Sequence, residues 1–276
     1  MSIAGILSKS FEIYNSSKNH TEYLDACHRT FQQPIYDLLS AKYLDQLRAW
    51  WKTYRMPLVT ETNKGIVLYE TRKNPNLEFF IYNLSYFAKG YGFVIFCSFA
   101  NYSYITNILG ENKYRCILHV IRDDEGGPSV REEYNAFVKS AEFWHVLPFD
   151  YVLMAEIDSY LRKPLPKNIE TYDYVCCEWP WNKSMYGGGG LSFRKVATMK
   201  RIVQEFPNLC NETFPQDCWA SAGSKNLEAS YNNSYFVEAN HSVLDPIGFH
   251  QWWTFINPST LAQMLPVYEK YVTLEL

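Results

Sequence analysis

The sequence predicts an α/β fold, a mostly parallel central sheet flanked by helices, with a helical extension at its N-terminus. Three observations carry this. From Gly65 onward, short apolar runs suited to buried strands alternate with segments of helical spacing, the order expected of a parallel sheet covered on both faces. One run, Tyr151-Val152-Leu153-Met154-Ala155, ends abruptly in Glu156-Ile157-Asp158, and open α/β sheets bind ligands at the carboxyl ends of their strands. Ahead of Gly65 the pattern is helical only. Ile35, Leu38, Leu39, Tyr43, Leu47, Trp50 and Trp51 form one stripe, and Pro57 ends the run.

Taken in order, residues 1–60 read as a helical extension whose Trp-rich face packs on the main body, and residues 61–276 as the main domain. Gly65–Glu70 reads as a strand. Asn76–Phe87 reads as a helix with Leu77, Phe80, Ile81, Leu84 and Phe87 on one face. Phe93–Phe96 is a strand, Tyr104–Leu109 a short helix and Cys116–Ile121 another strand. A helix over Val130–Ser140 precedes the Tyr151–Ala155 strand, and a further strand covers Tyr174–Cys177. Gly187–Gly190 reads as a turn opening a helix that carries Val196, Met199, Ile202, Val203 and Phe206. Beyond Pro207 the pattern is irregular until a last helix at Leu261–Tyr271.

Bulk properties exclude some classes. A net charge of −3 offers no basic footprint for nucleic acid. No window has the length and apolarity of a membrane span. The start Met1-Ser2-Ile3-Ala4-Gly5 lacks a basic segment followed by an apolar one. The 7 cysteines are odd in number with no C-x-x-C pair, and adjacent Cys176-Cys177 suit a strand as small hydrophobes. These features lead us to expect a soluble, cytoplasmic protein. Its 22 Tyr and 8 Trp are too many for any one site, so most are expected in the core.

Several constellations bear on chemistry. Glu156 and Asp158, two residues apart at a strand end, would point the same way. Two carboxylates on one side repel unless a positive group sits between them, and a divalent metal carrying a diphosphate would supply it. A strand end opening into a solvated loop is the other reading. Gly187-Gly188-Gly189-Gly190 is no phosphate loop, because no Lys-Ser or Lys-Thr follows. It would let backbone approach a ligand closely, with Gly188 and Gly189 as contacts, or serve as a turn with no ligand. Glu178-Trp179-Pro180-Trp181 reads equally as a sugar platform, indole faces with a carboxylate for hydroxyls, or as two core tryptophans. Phe214-Pro215-Gln216-Asp217 looks like a helix start with an acid near the positive end of the dipole. Taken alone, Gly248-Phe249-His250 is a packed histidine among aromatics.

The succession of these elements is more specific than any member. Tyr69-Glu70-Thr71-Arg72-Lys73-Asn74-Pro75-Asn76-Leu77-Glu78, Phe143-Trp144, Ile157-Asp158-Ser159, Trp179-Pro180-Trp181, Gly188-Gly189-Gly190-Leu191-Ser192, Pro215-Gln216-Asp217 and Gly248-Phe249-His250 follow one another between Gly65 and Trp253. Over that stretch the chain resembles glycosyltransferases of the GT-A type, with a Rossmann-like sheet, and is most similar to the family of unknown function DUF5672. Residues 1–60 lie outside the resemblance.

The resemblance implies that Asp158 is the main ligand of a divalent metal, Mn²⁺ or Mg²⁺, with Glu156 auxiliary and His250 a further metal or phosphate contact. Thr71 and Arg72 would hold the nucleotide of a nucleotide-sugar donor, a UDP-sugar being favoured, and the acceptor would be a glycan or another hydroxyl compound. Asp217 would be the general base of an inverting transfer, with Gln216 where the family pattern has an acid. Glu178, Trp179 and Trp181 would contact sugar. Two other readings stand beside this one. A glycoside hydrolase would use two of Glu156, Asp158, Glu178 and Asp217, and a sugar-binding protein would keep the fold without turnover.

Overall fold

The computed structural model describes residues 2–127, 130–210 and 213–276. The N-terminal part holds α1 (Ile3–Leu7), α2 (Ser10–Ser16) and the long α3 (His20–Trp51). Asn19 caps α3 by accepting the Glu22 amide. There follow β1 (Lys64–Tyr69), α4 (Leu77–Phe87), β2 (Gly92–Ser98), α5 (Phe99–Leu109), β3 (Ile117–Arg122), α6 (Val130–Val138) and α7 (Ala141–Val146). Next come β4 (Tyr151–Ala155), β5 (Ser159–Leu161), β6 (Tyr174–Cys177), β7 (Gly188–Lys195) and α8 (Val196–Glu205). The chain closes with α9 (Gln216–Asn226), β8 (Tyr231–Val237), β9 (Gly248–His250) and α10 (Leu261–Tyr271).

The strands form one 9-stranded, mostly parallel sheet in the order β3-β2-β1-β4-β7-β6-β8-β9-β5. β3, β2, β1 and β4 run parallel, and β7 is antiparallel to both β4 and β6. Burial on both faces can be followed along single strands. In β2, Phe93, Ile95 and Cys97 enter one core and Val94 and Phe96 the other. β4 splits in the same way, with Leu153 and Ala155 on one face and Val152 and Met154 on the other. This is the two-residue period of a strand sandwiched between helical layers.

The N-terminal helix shares the first core. Tyr23, Cys27, Phe31, Ile35 and Leu39 recur every fourth residue along α3, and all are buried together with α4 and α10. α3 ends at Trp51, ahead of Pro57. A second helical-layer core joins α7, α8 and α9 to the opposite sheet face.

Two expectations are corrected. Gly188–Lys195 is a buried strand, and the helix with the Val196 stripe begins only at Val196. The glycines therefore do not open a helix. Hydrogen bonding to β4 on one side and β6 on the other fixes the segment as strand, because its backbone groups would otherwise be buried without partners. The region beyond Pro207 is also more regular than its composition suggests, since it supplies α9, β8 and β9. β8 carries Tyr231-Asn232-Asn233-Ser234, whose poor strand propensity is overridden by parallel pairing with β6.

Candidate metal centre and flanking clefts

At the carboxyl end of β4 the chain turns sharply. The Ser159 amide donates to the Glu156 carbonyl, and the Glu156 amide donates to the Gly190 carbonyl of β7. Glu156 and Asp158 thus sit on a tight turn between β4 and β5, and this turn brings their carboxylates to the same side. They meet over His250. His250 Nε2 lies 3.2 Å from Asp158 Oδ1 and 3.6 Å from Glu156 Oε2. Ligand atoms of the three residues all fall within 4.8 Å of one another.

The sheet register delivers the histidine. β5 pairs antiparallel with β9, placing Ser159 opposite His250. β8 runs parallel to β9 with Phe236 beside Gly248 and Val237 beside Phe249, so the next residue of β8, Glu238, comes up beside His250. Its Oε1 lies 3.0 Å from His250 Nδ1. Trp179 Nε1 donates to Glu238 Oε2 at 2.9 Å, and Gln251 Nε2 donates to Oε1 at 3.1 Å. Gln251 is left-handed, at φ 31° and ψ 35°, an uncommon conformation for a non-glycine residue and one concentrated at functional turns.

The electrostatics follow from this packing. Burial opposes charge on His250, but Asp158, Glu156 and Glu238 outweigh it and hold the imidazole well above its usual range. Burial pushes Asp158 up and His250 and His28 pull it further down, so it stays ionised. Glu238 is likewise held low, its burial outweighed by the bonds from His250, Trp179 and Gln251. Asp217 goes the other way. Burial raises it, and the charges of Glu238 and Glu156 raise it further.

These residues fit a divalent cation. Asp158 Oδ1 and His250 Nε2 are both buried and lie 3.2 Å apart, an ion pair when the histidine is charged, and neither finds a hydrogen-bond partner of good geometry among the described residues. His250 Nδ1 lies 3.0 Å from Glu238 Oε1 and takes the Gly190 amide at 3.0 Å, which leaves Nε2 facing the acids. A divalent cation replacing the Nε2 proton would take that nitrogen and the carboxylate oxygens as ligands. Carboxylate oxygens with one imidazole form a donor set common to Mn²⁺ and related ions. Gly190 keeps the space open: a Cβ there would lie 2.6 Å from His250 Nε2 and 2.7 Å from the Glu156 carboxyl.

Two clefts flank the centre. One, of about 320 Å³, runs from the end of β1 past Thr71, Glu125 and Gly126 to Asp158. The other, of about 520 Å³, extends over Asp217, Glu238 and Gln251 to Leu24, Asp25 and His28 of α3. Arg72, Arg131, Tyr134, Glu156 and Asp158 line both. Arg72 is clamped by Glu70, whose oxygens take its backbone amide, Nε and Nη2 at 2.9, 2.8 and 2.8 Å. Thr71 lines the first cleft, but its hydroxyl is already donated to the Glu125 carbonyl at 2.8 Å. Asp217 is the second residue of α9, and accepts the Cys218 amide at 2.8 Å and the Gly189 amide at 3.3 Å.

The structure therefore gathers Thr71, Arg72, Glu156, Asp158, Asp217 and His250 around one centre. It treats the sugar-contact residues differently. Gly188 and Gly189 sit in β7 beneath the site, where the Gly189 amide holds Asp217. Trp179 is buried behind Glu238. Glu178 is engaged by Lys183 at 2.7 Å and by Asn240, and Trp181 stacks on Trp179 and Phe255. Neither Glu178 nor Trp181 lines either cleft. Sequence reasoning missed Glu238, Arg131, His28 and Gln251. Glu238 had a usable signal, an acid directly after the Tyr235-Phe236-Val237 run, in the same relation as Glu156 to its own strand.

Residues 123–244 match a family model described as "Protein of unknown function (DUF5672)". The match contains Glu156, Asp158, Asp217 and Glu238 and stops before His250. No curated protein matches the chain. Among the described residues, no helix is long and apolar enough to cross a membrane.

Proposed function

We propose that this protein is a metal-dependent glycosyltransferase that moves a sugar from a nucleotide-sugar donor, with a UDP-sugar favoured, to a hydroxyl acceptor. The observation that carries the reading is the pair of orphaned buried atoms, Asp158 Oδ1 and His250 Nε2, facing each other where the two clefts meet. The first cleft suits the nucleoside diphosphate and the second the acceptor. Arg72, held rigid by Glu70, and Arg131 line the junction, where the diphosphate would lie. A Mn²⁺ or Mg²⁺ ion bound by Asp158, Glu156 and His250 would offset the charge of the departing nucleoside diphosphate.

Asp217 opens onto the acceptor side. Its raised pKa brings it nearer to neutral pH, where a general base works best. In this reading Asp217 takes the proton of the acceptor hydroxyl as that oxygen bonds to the anomeric carbon. The bond from that carbon to the phosphate oxygen breaks on the opposite side, and the centre inverts. α3 walls the acceptor cleft with Asp25 and His28, polar groups suited to a polyhydroxylated acceptor.

Thermal unfolding with a panel of nucleoside diphosphates, each with and without Mn²⁺, tests the proposal. A ligand at a hundred times its Kd adds about 2.7 kcal/mol, a rise of roughly 5–10 °C for a chain of this size. The expected result is a metal-dependent rise for one nucleotide that Asp158→Ala abolishes. No rise with any nucleotide, with or without Mn²⁺, would overturn it.

A further inference from the structure

Arg194 is the most anomalous charged residue of the core. It lies on β7 opposite Tyr174 of β6 and Val152 of β4, and none of its surface reaches solvent. A buried cation is costly unless a carboxylate and further hydrogen bonds satisfy it. Among the described residues, Arg194 makes no hydrogen bond to a carboxylate: its Nε donates to Ser192 Oγ at 2.9 Å, its Nη2 donates to Gln216 Oε1 at 2.6 Å, and its Nη1 finds no partner there. The guanidinium also sits over the Tyr174 ring, at 5.9 Å from the centroid.

The partner that matters is Gln216. With its Oε1 committed to Arg194, its Nε2 must face the other way, and it donates to Glu156 Oε1 at 3.5 Å. The backbone amide of Gln216 donates to Asn135 Oδ1 at 2.8 Å, which fixes the start of α9 immediately before Asp217. The buried charge thus reaches the acid turn through one oriented amide. A glutamate in place of Gln216 would give Arg194 its missing counter-charge but would set a carboxylate against Glu156.

We propose that Arg194 is a positioning residue that acts through Gln216 to orient Glu156 toward the metal centre. The inference rests on the reading of Glu156, Asp158 and His250 as a cation site. It accounts for a neutral Gln216: its amide can accept from the arginine and donate to the acid, which a carboxylate cannot.

The test is the affinity of the full-length protein for Mn²⁺ alone, measured by calorimetry, beside the metal-free unfolding midpoint. Gln216→Glu should weaken Mn²⁺ binding at least tenfold while leaving the midpoint unchanged or higher, because Arg194 gains a carboxylate. Arg194→Met should weaken Mn²⁺ binding to a similar degree, and Arg194→Lys should recover only part of it, since an ammonium lacks the planar fork that spans Ser192 and Gln216. Adding Gln216→Ala to Arg194→Met should weaken binding little further, as expected of residues in one chain of contacts. Wild type that binds Mn²⁺ beside a Gln216→Glu variant that binds it equally well would overturn the relay and spare the cation site. Affinity lost only in proportion to stability would reduce Arg194 to a structural residue and overturn the relay as well. Wild type that binds no Mn²⁺ would remove the cation site and the relay together.

Discussion

Asp217 shows at the scale of one residue how a site can be assembled at the expense of stability. It is drawn into a cluster with Glu156 and Glu238, and its carboxyl is raised by burial first and by those two charges second. A carboxyl whose folded pKa exceeds its unfolded value binds its proton more tightly in the native state. Its stabilising contribution is therefore full at low pH and is lost as pH rises through the raised pKa. At neutral pH the ionised Asp217 is a burden on the fold, one that the proposed role as general base would require. We expect Asp217→Asn to raise the unfolding midpoint at pH 7, with the gain vanishing towards pH 3, while transfer activity falls by two to four orders of magnitude, roughly the worth of a general base. Midpoints of both proteins measured across that pH range check the first half. An Asn variant less stable at pH 7 would show that the hydrogen bonds from Gly189 and Cys218 outweigh the repulsion. Wild-type activity should fall on the acid side with a limb lying above the ordinary carboxylate range.

At the scale of the element, β7 explains both what the sequence disclosed and what it hid. The apolar strands β1, β2, β4 and β6 were legible because each is buried on both faces and carries the hydrophobic run that such burial demands. The acid turn was legible because Glu156 and Asp158 interrupt such a run. β7 was not, since the three successive glycines at its start, Gly188–Gly190, carry neither strand propensity nor pattern. Their spacing has a three-dimensional cause. A Cβ on Gly188 would meet the Trp179 ring at 2.3 Å, and one on Gly190 would meet His250 and Glu156. Gly189, at φ +95°, takes a backbone conformation that side chains rarely adopt. The strand is stripped of side chains where the Glu156–Asp158–His250 cluster rests on it, and no local signal announces that. Glu238 was missed for a related reason, because only the pairing of β8, β9 and β5 sets it beside His250, a residue that the resemblance, and not its own surroundings in the sequence, had singled out. It follows that Gly190→Ala should preserve the strand, whose hydrogen bonds are backbone, and close the centre. Far-UV circular dichroism should be unchanged, and Mn²⁺ affinity should fall at least tenfold, as for loss of a supporting contact to a metal ligand. Unaltered affinity would mean that the site lies away from His250 Nε2 and Glu156.

At the scale of the whole molecule, the question is why the helices before β1 are there. They do more than cover apolar surface. The Tyr36 hydroxyl of α3, fully buried, lies 2.9 Å from the Ile157 carbonyl and 3.0 Å from that of Ser159. These two carbonyls flank Asp158, so the backbone of the acid turn is held from a residue more than a hundred positions away. A second tyrosine of the same helix serves as a natural control. The Tyr23 hydroxyl donates to the Ile256 carbonyl at 2.6 Å, again buried, but away from the acids. Removing either hydroxyl leaves a buried carbonyl without its donor, which costs about 1–3 kcal/mol. Tyr36→Phe and Tyr23→Phe should therefore lower the urea midpoint to a similar extent. Only Tyr36→Phe should also weaken Mn²⁺ binding, because only there does the freed carbonyl belong to the turn that aims Asp158. Equal effects of both variants on Mn²⁺ would mean that α3 supports the site through general stability alone. An effect confined to Tyr36→Phe would make the N-terminal helix part of the metal centre, and the residues before β1 could not be removed without dismantling it.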